Sequence, residues 1–356
     1  MDTIYYSNCP VPNAFLIAVR HFPETFAAVG VRFELLPPQR SATHFAFDHP
    51  SYSRFGGEIP PLLSEGTRAP GATRLIGLTP CRSRQGFLVR PDDPARTAAD
   101  LAGRRIGITP NGRAMLDPAT ARLAGDDPWE GTQRALGTWE ARALIHTLRA
   151  AGMTIGQVEL IEVRNPWAAH QRADAEAATS FAPKDLFPDA TGPNGNPQIR
   201  ALLERQVDAV FSFLPYIAET ERRGYGRLLQ DLGTDAVNDF VSAWTVSSAL
   251  VQERPDRVQA VIDAVVDAAH WAAEHPDETA ALHAENFGLS EASVWAALGP
   301  AFHRSLEPRL DAECLAILDQ TQTFLVSRGL MPRAVALDNW AEPRFLAQAS
   351  RSETAK

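Results

Sequence analysis

The chain has 356 residues, 45% of them hydrophobic and 22% charged, with a formal net charge of −9. That length suits two lobes rather than a single core, and the composition is that of a folded globular protein. An acidic chain with no basic stripe excludes the electrostatic footprint of a nucleic-acid binder, and its apolar runs are too short for a membrane span.

Taken in chain order, strand and helix patterns alternate. Ile4–Tyr6 reads as a strand running into the turn that carries Cys9. Phe15, Leu16, Val19 and Phe22 have helical spacing, which predicts a helix over 13–28, distorted at Pro23 and closed by Gly30. Strands are expected over 31–36, 74–78, 87–90 and 106–109. Ala141, Leu144, Ile145 and Leu148 form the stripe of a helix over 139–151, and Gly152 stops it. Further strands are expected at 158–163 and 207–213, with a helix at 199–205 between them. The stretch 165–196, rich in Ala, Pro, Asp and Gly, reads as a long loop with short helical pieces.

From Pro255 the pattern turns helical. Val258, Val261, Ile262, Val265, Ala269 and Ala272 mark a long amphipathic helix. More helices are expected over 274–286, 290–298 and 311–327. Alternation followed by helices predicts an α/β fold with parallel sheets and extra C-terminal helices.

Three cysteines, Cys9, Cys81 and Cys314, are too few and too scattered for a disulfide framework or a metal cluster. No HExxH, Walker or dinucleotide fingerprint is present. Cys314 lies in an apolar helical pattern and reads as core. Cys81, beside Arg82 and Arg84, reads as part of a solvated turn. Cys9 sits between a strand and a helix, where a helix N-terminus favours a thiolate; a small buried hydrophobe is the alternative. His44 and His49 flank a strand-like HFAFD and are candidates to hold a thiolate or move a proton. Arg54, followed by Phe55-Gly56-Gly57, combines a guanidinium fork with a backbone open to close approach, which suits an oxyanion. A plain turn with a solvent-facing arginine is equally compatible. Trp139 and Phe187 are candidates for the wall of an apolar pocket, or ordinary packing.

The segments YSNCPVPN, RFGGEIPPLLSEG, DLAGRRIG, WEARALIHTL, DLFPD, AWTVSS and ALDNWAEPRFL together resemble the 2'-hydroxybiphenyl-2-sulfinate desulfinases of bacterial dibenzothiophene desulfurisation, over nearly the whole chain. The resemblance implies a type II periplasmic-binding-protein-like fold, with two α/β lobes and a cleft between them. Residues 1–88 and 231–356 would form the lobe carrying the cysteine, and 89–230 the other. It implies a hydrolase that releases sulfite from an aromatic sulfinate. Cys9 falls on the family's nucleophile, His44 on its histidine and Arg54 on its sulfinate-binding arginine. Gly57 falls on its sulfinate-contacting glycine, and Trp139 and Phe187 on its aromatic pocket. The chain departs from the family at Phe47 and His49, where Tyr and Gln are usual. No flavin, nicotinamide or metal is needed, because no redox step occurs. A monomer in the cytoplasm is the expectation, since MDTIYYSNCPVPN has no leader pattern. The alternative is a non-catalytic binding protein for sulfonates or related organic anions, because one fold hosts many functions.

Overall fold

The computed structural model describes residues 2–8, 11–36, 47–116, 137–164 and 189–354. Two five-stranded sheets organise them. The first contains β1 (Asp2–Asn8), β2 (Val31–Leu35), β3 (Tyr52–Gly57), β4 (Thr73–Cys81) and, far along the chain, β10 (Phe240–Ser247). Their order is β2-β1-β3-β10-β4. The second contains β5 (Gln85–Val89), β6 (Arg105–Ile108), β7 (Glu159–Glu162), β8 (Ala209–Phe213) and β9 (Arg227–Leu228), in the order β7-β6-β8-β5-β9. The chain passes from one sheet to the other between Cys81 and Gln85. It returns between Leu228 and Phe240.

The expected parallel sheets are in fact mixed. β1 runs parallel to β2 and β3, and β6 parallel to β7 and β8. The returning strand β10 is antiparallel to both β3 and β4, and β5 is antiparallel to β8 and β9. Neither β3 nor β10 is predicted by local pattern. Every residue of both strands is buried. A strand covered on both faces has no alternation to read, and small or polar residues such as Ser242, Thr245 and Gly56 mask its strand character.

The first helices are α1 (Ala14–His21) and α2 (Pro23–Ala28), where one helix was expected. Pro23 takes the first position of α2, where its missing N–H costs nothing, and the helix breaks at Phe22. Asn13 caps α1 by accepting from Leu16 N at 2.8 Å. Next come α3 (Ile59–Leu63), α4 (Pro110–Leu116), α5 (Thr138–Ala150), α6 (Pro197–Leu203) and α7 (Leu214–Arg222). The C-terminal set is α8 (Ser248–Glu253), α9 (Pro255–Glu274), α10 (Pro276–Phe287), α11 (Glu291–Leu298), α12 (Ala312–Ser327), α13 (Leu337–Trp340) and α14 (Arg344–Thr354).

One core lies between the first sheet and helices α1 and α9, joining Phe15, Ile17, Phe55, Trp244, Ile262 and Val265. A second joins α3 to α12 through Ile59, Leu62, Leu63 and Leu318. Cys314 is fully buried there, as its apolar pattern predicts. A third joins α5 to the second sheet through Leu144, Leu148, Ile106 and Phe211. Cys81 is not in a solvated turn. It closes β4 with 3% exposure, while Arg82 and Arg84 beside it reach carboxylates at the surface. Among the described residues no helix is long and apolar enough to cross a membrane.

Candidate functional site

β1 and β3 run parallel, and their C-terminal ends, at Asn8 and Gly57, lie side by side. In such sheets the carboxyl ends of strands open into the ligand crevice. Asn8, one residue short of Cys9 in the sequence, is in register with Phe55. α1 and α3 start shortly after these strand ends. The strand that precedes Cys9 in the sequence and the strand that carries Arg54 and Gly57 are thus neighbours in the first sheet.

Arg54 is not a solvent-facing turn residue. It lies within β3 with 1% exposure, and its Nη1 donates to Gly57 O at 2.9 Å. Strand alternation separates it from Ser53 and Phe55, which face the other way. Ser53 Oγ accepts from Trp244 Nε1 at 2.9 Å, and Phe55 stacks on Trp244 with ring centroids 5.3 Å apart. The packed face of β3 therefore fixes the strand, and the opposite face carries the guanidinium.

Trp139 opens α5 on the second lobe and meets the end of β3. A Cβ added at Gly57 would lie 3.0 Å from Trp139 Cη2 and 3.1 Å from Cζ2. Glycine leaves the indole that approach without strain, whereas any other residue would press on its edge. Trp139 also stacks on Phe213, with centroids 6.3 Å apart, and meets the edge of Phe240 at 5.8 Å. Its Nε1 is buried without a hydrogen-bond partner among the described residues. Arg54, Gly57 and Trp139 are therefore one cluster, built from two lobes.

Beyond Trp139 a cleft is walled by Phe211, Phe213 and Tyr216, with Thr109, Glu140 and Gln198 supplying polar groups. It sits where β6 and β8 end and α5 and α6 begin. Glu140 accepts from Thr109 N (3.0 Å), Thr109 Oγ1 (2.5 Å) and Gln198 Nε2 (3.1 Å). Burial nevertheless outweighs these three donors and pushes its carboxyl up to about 7.

Behind the Arg54–Gly57 pair lies a charged cluster that sequence reading does not find. Glu58, next after Gly57, is wholly buried, and burial raises its pKa against the pull of Arg142 and Arg54. Its Oε1 accepts from Thr321 Oγ1 at 3.0 Å. Arg142 lies one turn beyond Trp139 on α5 and is 3% exposed. Nothing local marks Glu58 or Arg142, because their burial comes from packing α3, α5 and α12 together. His283, on α10, is also fully buried. Its Nε2 accepts from Asn13 N at 3.3 Å and its Nδ1 donates to Thr279 O at 2.8 Å, which ties α10 to the cap of α1.

Cys9, His44 and Phe187 lie outside the described residues. So do most of the strand-like HFAFD and of the 165–196 loop. Phe47 is buried against Leu36 and Tyr52, and His49 Nδ1 accepts from Ser51 N at 3.1 Å. Among the described residues no group of three His, Cys, Asp or Glu is placed to hold a metal.

No protein-family profile matches the chain. The chain is 46% identical to the 2'-hydroxybiphenyl-2-sulfinate desulfinases of Rhodococcus erythropolis and Rhodococcus qingshengii over 345 residues, covering 97% of this chain and 93% of each relative. Among solved structures it superposes on a cysteine-to-serine mutant of the desulfurization enzyme DszB in complex with biphenyl-2-sulfinic acid. The TM-score is 0.91 at 45% identity, covering 99% of both chains. The periplasmic aliphatic sulphonate-binding protein SsuA of Escherichia coli shares the fold at 17% identity, with a TM-score of 0.63 over 96% of this chain and 93% of that one.

Proposed function

This chain belongs to the 2'-hydroxybiphenyl-2-sulfinate desulfinase family, and we propose that Cys9 and His44 do its chemistry on a sulfinate held by Arg54 and Gly57. The protein is a carbon–sulfur bond hydrolase that desulfinates an aromatic sulfinate. With water, an aryl sulfinate gives the arene and hydrogen sulfite; one proton goes to the ring carbon and hydroxide to sulfur. No electron is exchanged, so no redox cofactor is called for. The observation that carries the assignment is 46% identity across 97% of the chain.

Physical chemistry supports the residue roles. A sulfinate is an anion with two acceptor oxygens, and a guanidinium meets such a pair as a fork. Arg54 is held in place beforehand by its bond to Gly57 O. A fixed donor needs no reorganisation as charge moves from carbon–sulfur bond to sulfite. The Gly57 N–H is the second donor of the proposal. Trp139, at the end of β3, is the flat wall for the aryl ring, and Phe187 is its proposed companion. Cys9 follows β1 in the sequence, and β1 ends in register with Phe55. His44 stabilises the thiolate or returns its proton. A monomer in the cytoplasm completes the proposal.

Two routes use the same residues. In one, the Cys9 thiolate attacks sulfur and water then releases sulfite. In the other, Cys9 protonates the ring carbon and water takes the sulfur. Mass spectrometry of acid-quenched enzyme separates them, because only the first leaves a sulfur adduct on Cys9.

The test is sulfite release from 2'-hydroxybiphenyl-2-sulfinate. Wild-type protein turns it over, and Cys9→Ser binds it without releasing sulfite. Binding without turnover by the wild type would instead make this a solute-binding protein. Full activity in Cys9→Ser would remove Cys9 from the mechanism.

A further inference from the structure

Helix α5 serves both lobes. Ala143, Leu144 and Leu148 pack into the core of the second sheet. Ala141 belongs to the core cluster that also contains Ile59 and Leu62 of α3 and Leu318 of α12. Trp139 and Arg142 are three residues apart and so share one face of the helix. Trp139 reaches the end of β3 at Gly57.

Arg142 makes three buried attachments. Its Nη2 donates to Asn238 O at 3.3 Å and to Asp239 O at 3.1 Å. Its Nη1 donates to Thr321 Oγ1 at 3.2 Å. The Thr321 hydroxyl in turn donates to Glu58 Oε1. Asn238 and Asp239 lie in the return segment between the lobes, immediately before β10. Thr321 is on α12, and Glu58 follows Gly57. One guanidinium on a second-lobe helix therefore grips the inter-lobe connection, a C-terminal helix and the residue beside the sulfinate site. Two-lobed binding proteins open and close at such connections. A buried charged group with satisfied hydrogen bonds resists that motion, because opening would leave it and Glu58 uncompensated.

We propose that Arg142 is a positioning residue for the desulfinase site, holding the Trp139 edge against Gly57 and the two lobes closed around the aryl slot. It acts through Thr321, Glu58 and the return segment, not by touching substrate. The inference rests on the desulfinase reading above. It predicts that the slot is narrow and matched to a two-ring sulfinate, with Arg142 setting its width.

The experiment compares sulfite release from biphenyl-2-sulfinate and from benzenesulfinate by wild type, Arg142→Met, Arg142→Lys and Thr321→Val. Loss of positioning in Arg142→Met raises KM for biphenyl-2-sulfinate by about tenfold or more, with kcat within about threefold. The preference for two rings over one narrows. Arg142→Lys restores part of both effects, and Thr321→Val, which keeps the bonds to Asn238 and Asp239, falls between. In small-angle scattering the ligand-free Arg142→Met protein is wider than wild type and contracts when biphenyl-2-sulfinate is added. Wild-type kinetic parameters and scattering in Arg142→Met would overturn the proposal, as would an equal fall in kcat for both substrates with KM unchanged. Should Arg142→Met fail to fold, wild-type KM and selectivity in Thr321→Val would overturn it. A wild-type protein that releases sulfite from neither substrate would overturn the desulfinase reading itself.

Discussion

The Trp139 indole edge stands 3.0 Å from the point where a Cβ on Gly57 would sit. This contact joins the two lobes at the end of β3, and a side chain at position 57 would require the indole to give by a few tenths of an ångström.

Gly57→Ala is therefore expected to push Trp139 aside. Overpacking of this kind costs about 1–3 kcal/mol of stability. Sulfite release should fall by about tenfold, less than the roughly hundredfold effect of a full ångström of misplacement, because the indole need shift only a few tenths of an ångström. Pairing the change with Trp139→Phe should recover the lost stability in denaturant titration. Equal activity in Gly57→Ala and wild type would show that the contact plays no part in the site.

Arg54→Lys keeps the charge but loses the fork and its tie to Gly57 O. Losing one charge-assisted hydrogen bond costs about 2 kcal/mol, roughly thirtyfold in kcat/KM. Steady-state kinetics on an aryl sulfinate read this directly. An unchanged kcat/KM would remove Arg54 from anion binding.

The three cysteines should differ sharply toward iodoacetamide. Cys81 is 3% exposed and burial raises its thiol well above the ordinary value. Cys314 is fully buried and pushed up to about 12, with burial the main cause. At pH 7.5 neither has an appreciable thiolate, which is the reacting form. Native protein should take up one equivalent rapidly, and Cys9→Ser none. Rapid labelling of Cys81 or Cys314, located by peptide mapping, would contradict the assignment of Cys9 as the reactive thiol.

His283 supplies a pH test of the fold around α1. Burial lowers its pKa from 6.5 to about 4, against its bonds to Thr279 and Asn13. The unfolded chain then binds the extra proton between pH 6.5 and 4, so stability is lost as pH falls through that window. The shift corresponds to about 3 kcal/mol. Glu140 works in the opposite sense, since its raised carboxyl favours the folded state at low pH and loses that advantage as pH rises to about 7. The difference between wild type and His283→Gln isolates the histidine. Urea unfolding at pH 4 and pH 7 should show a smaller drop in the variant. Parallel drops would show that His283 is not the group responsible.

Local chemistry made much of the architecture readable. The stripe of Leu144 and Leu148 marks α5 from its spacing alone, and Pro255 with Val258, Val261, Ile262 and Val265 marks α9. The break at Pro23 follows from the missing N–H of proline. Strand β3 was unreadable because its two glycines and one arginine look like a turn until partners cover both faces. Its neighbour β10 arrives from the far end of the chain, and no local window contains that pairing.

The amino-acid sequence by itself determined the family, the alternation that builds two lobes, and Cys9, His44, Arg54 and Gly57 as the residues to test. The alternation follows from short-range spacing, whereas the family and those four residues follow from the resemblance of whole segments to the desulfinases, which the unfolded chain already carries. Only the tertiary structure decided that Arg54 is buried in a strand, that Trp139 closes on Gly57, and that Arg142 and Glu58 lie behind the site. Each of these depends on strands and helices distant in sequence being packed together, and burial, which sets both the geometry and the charge state of such groups, exists only after that packing.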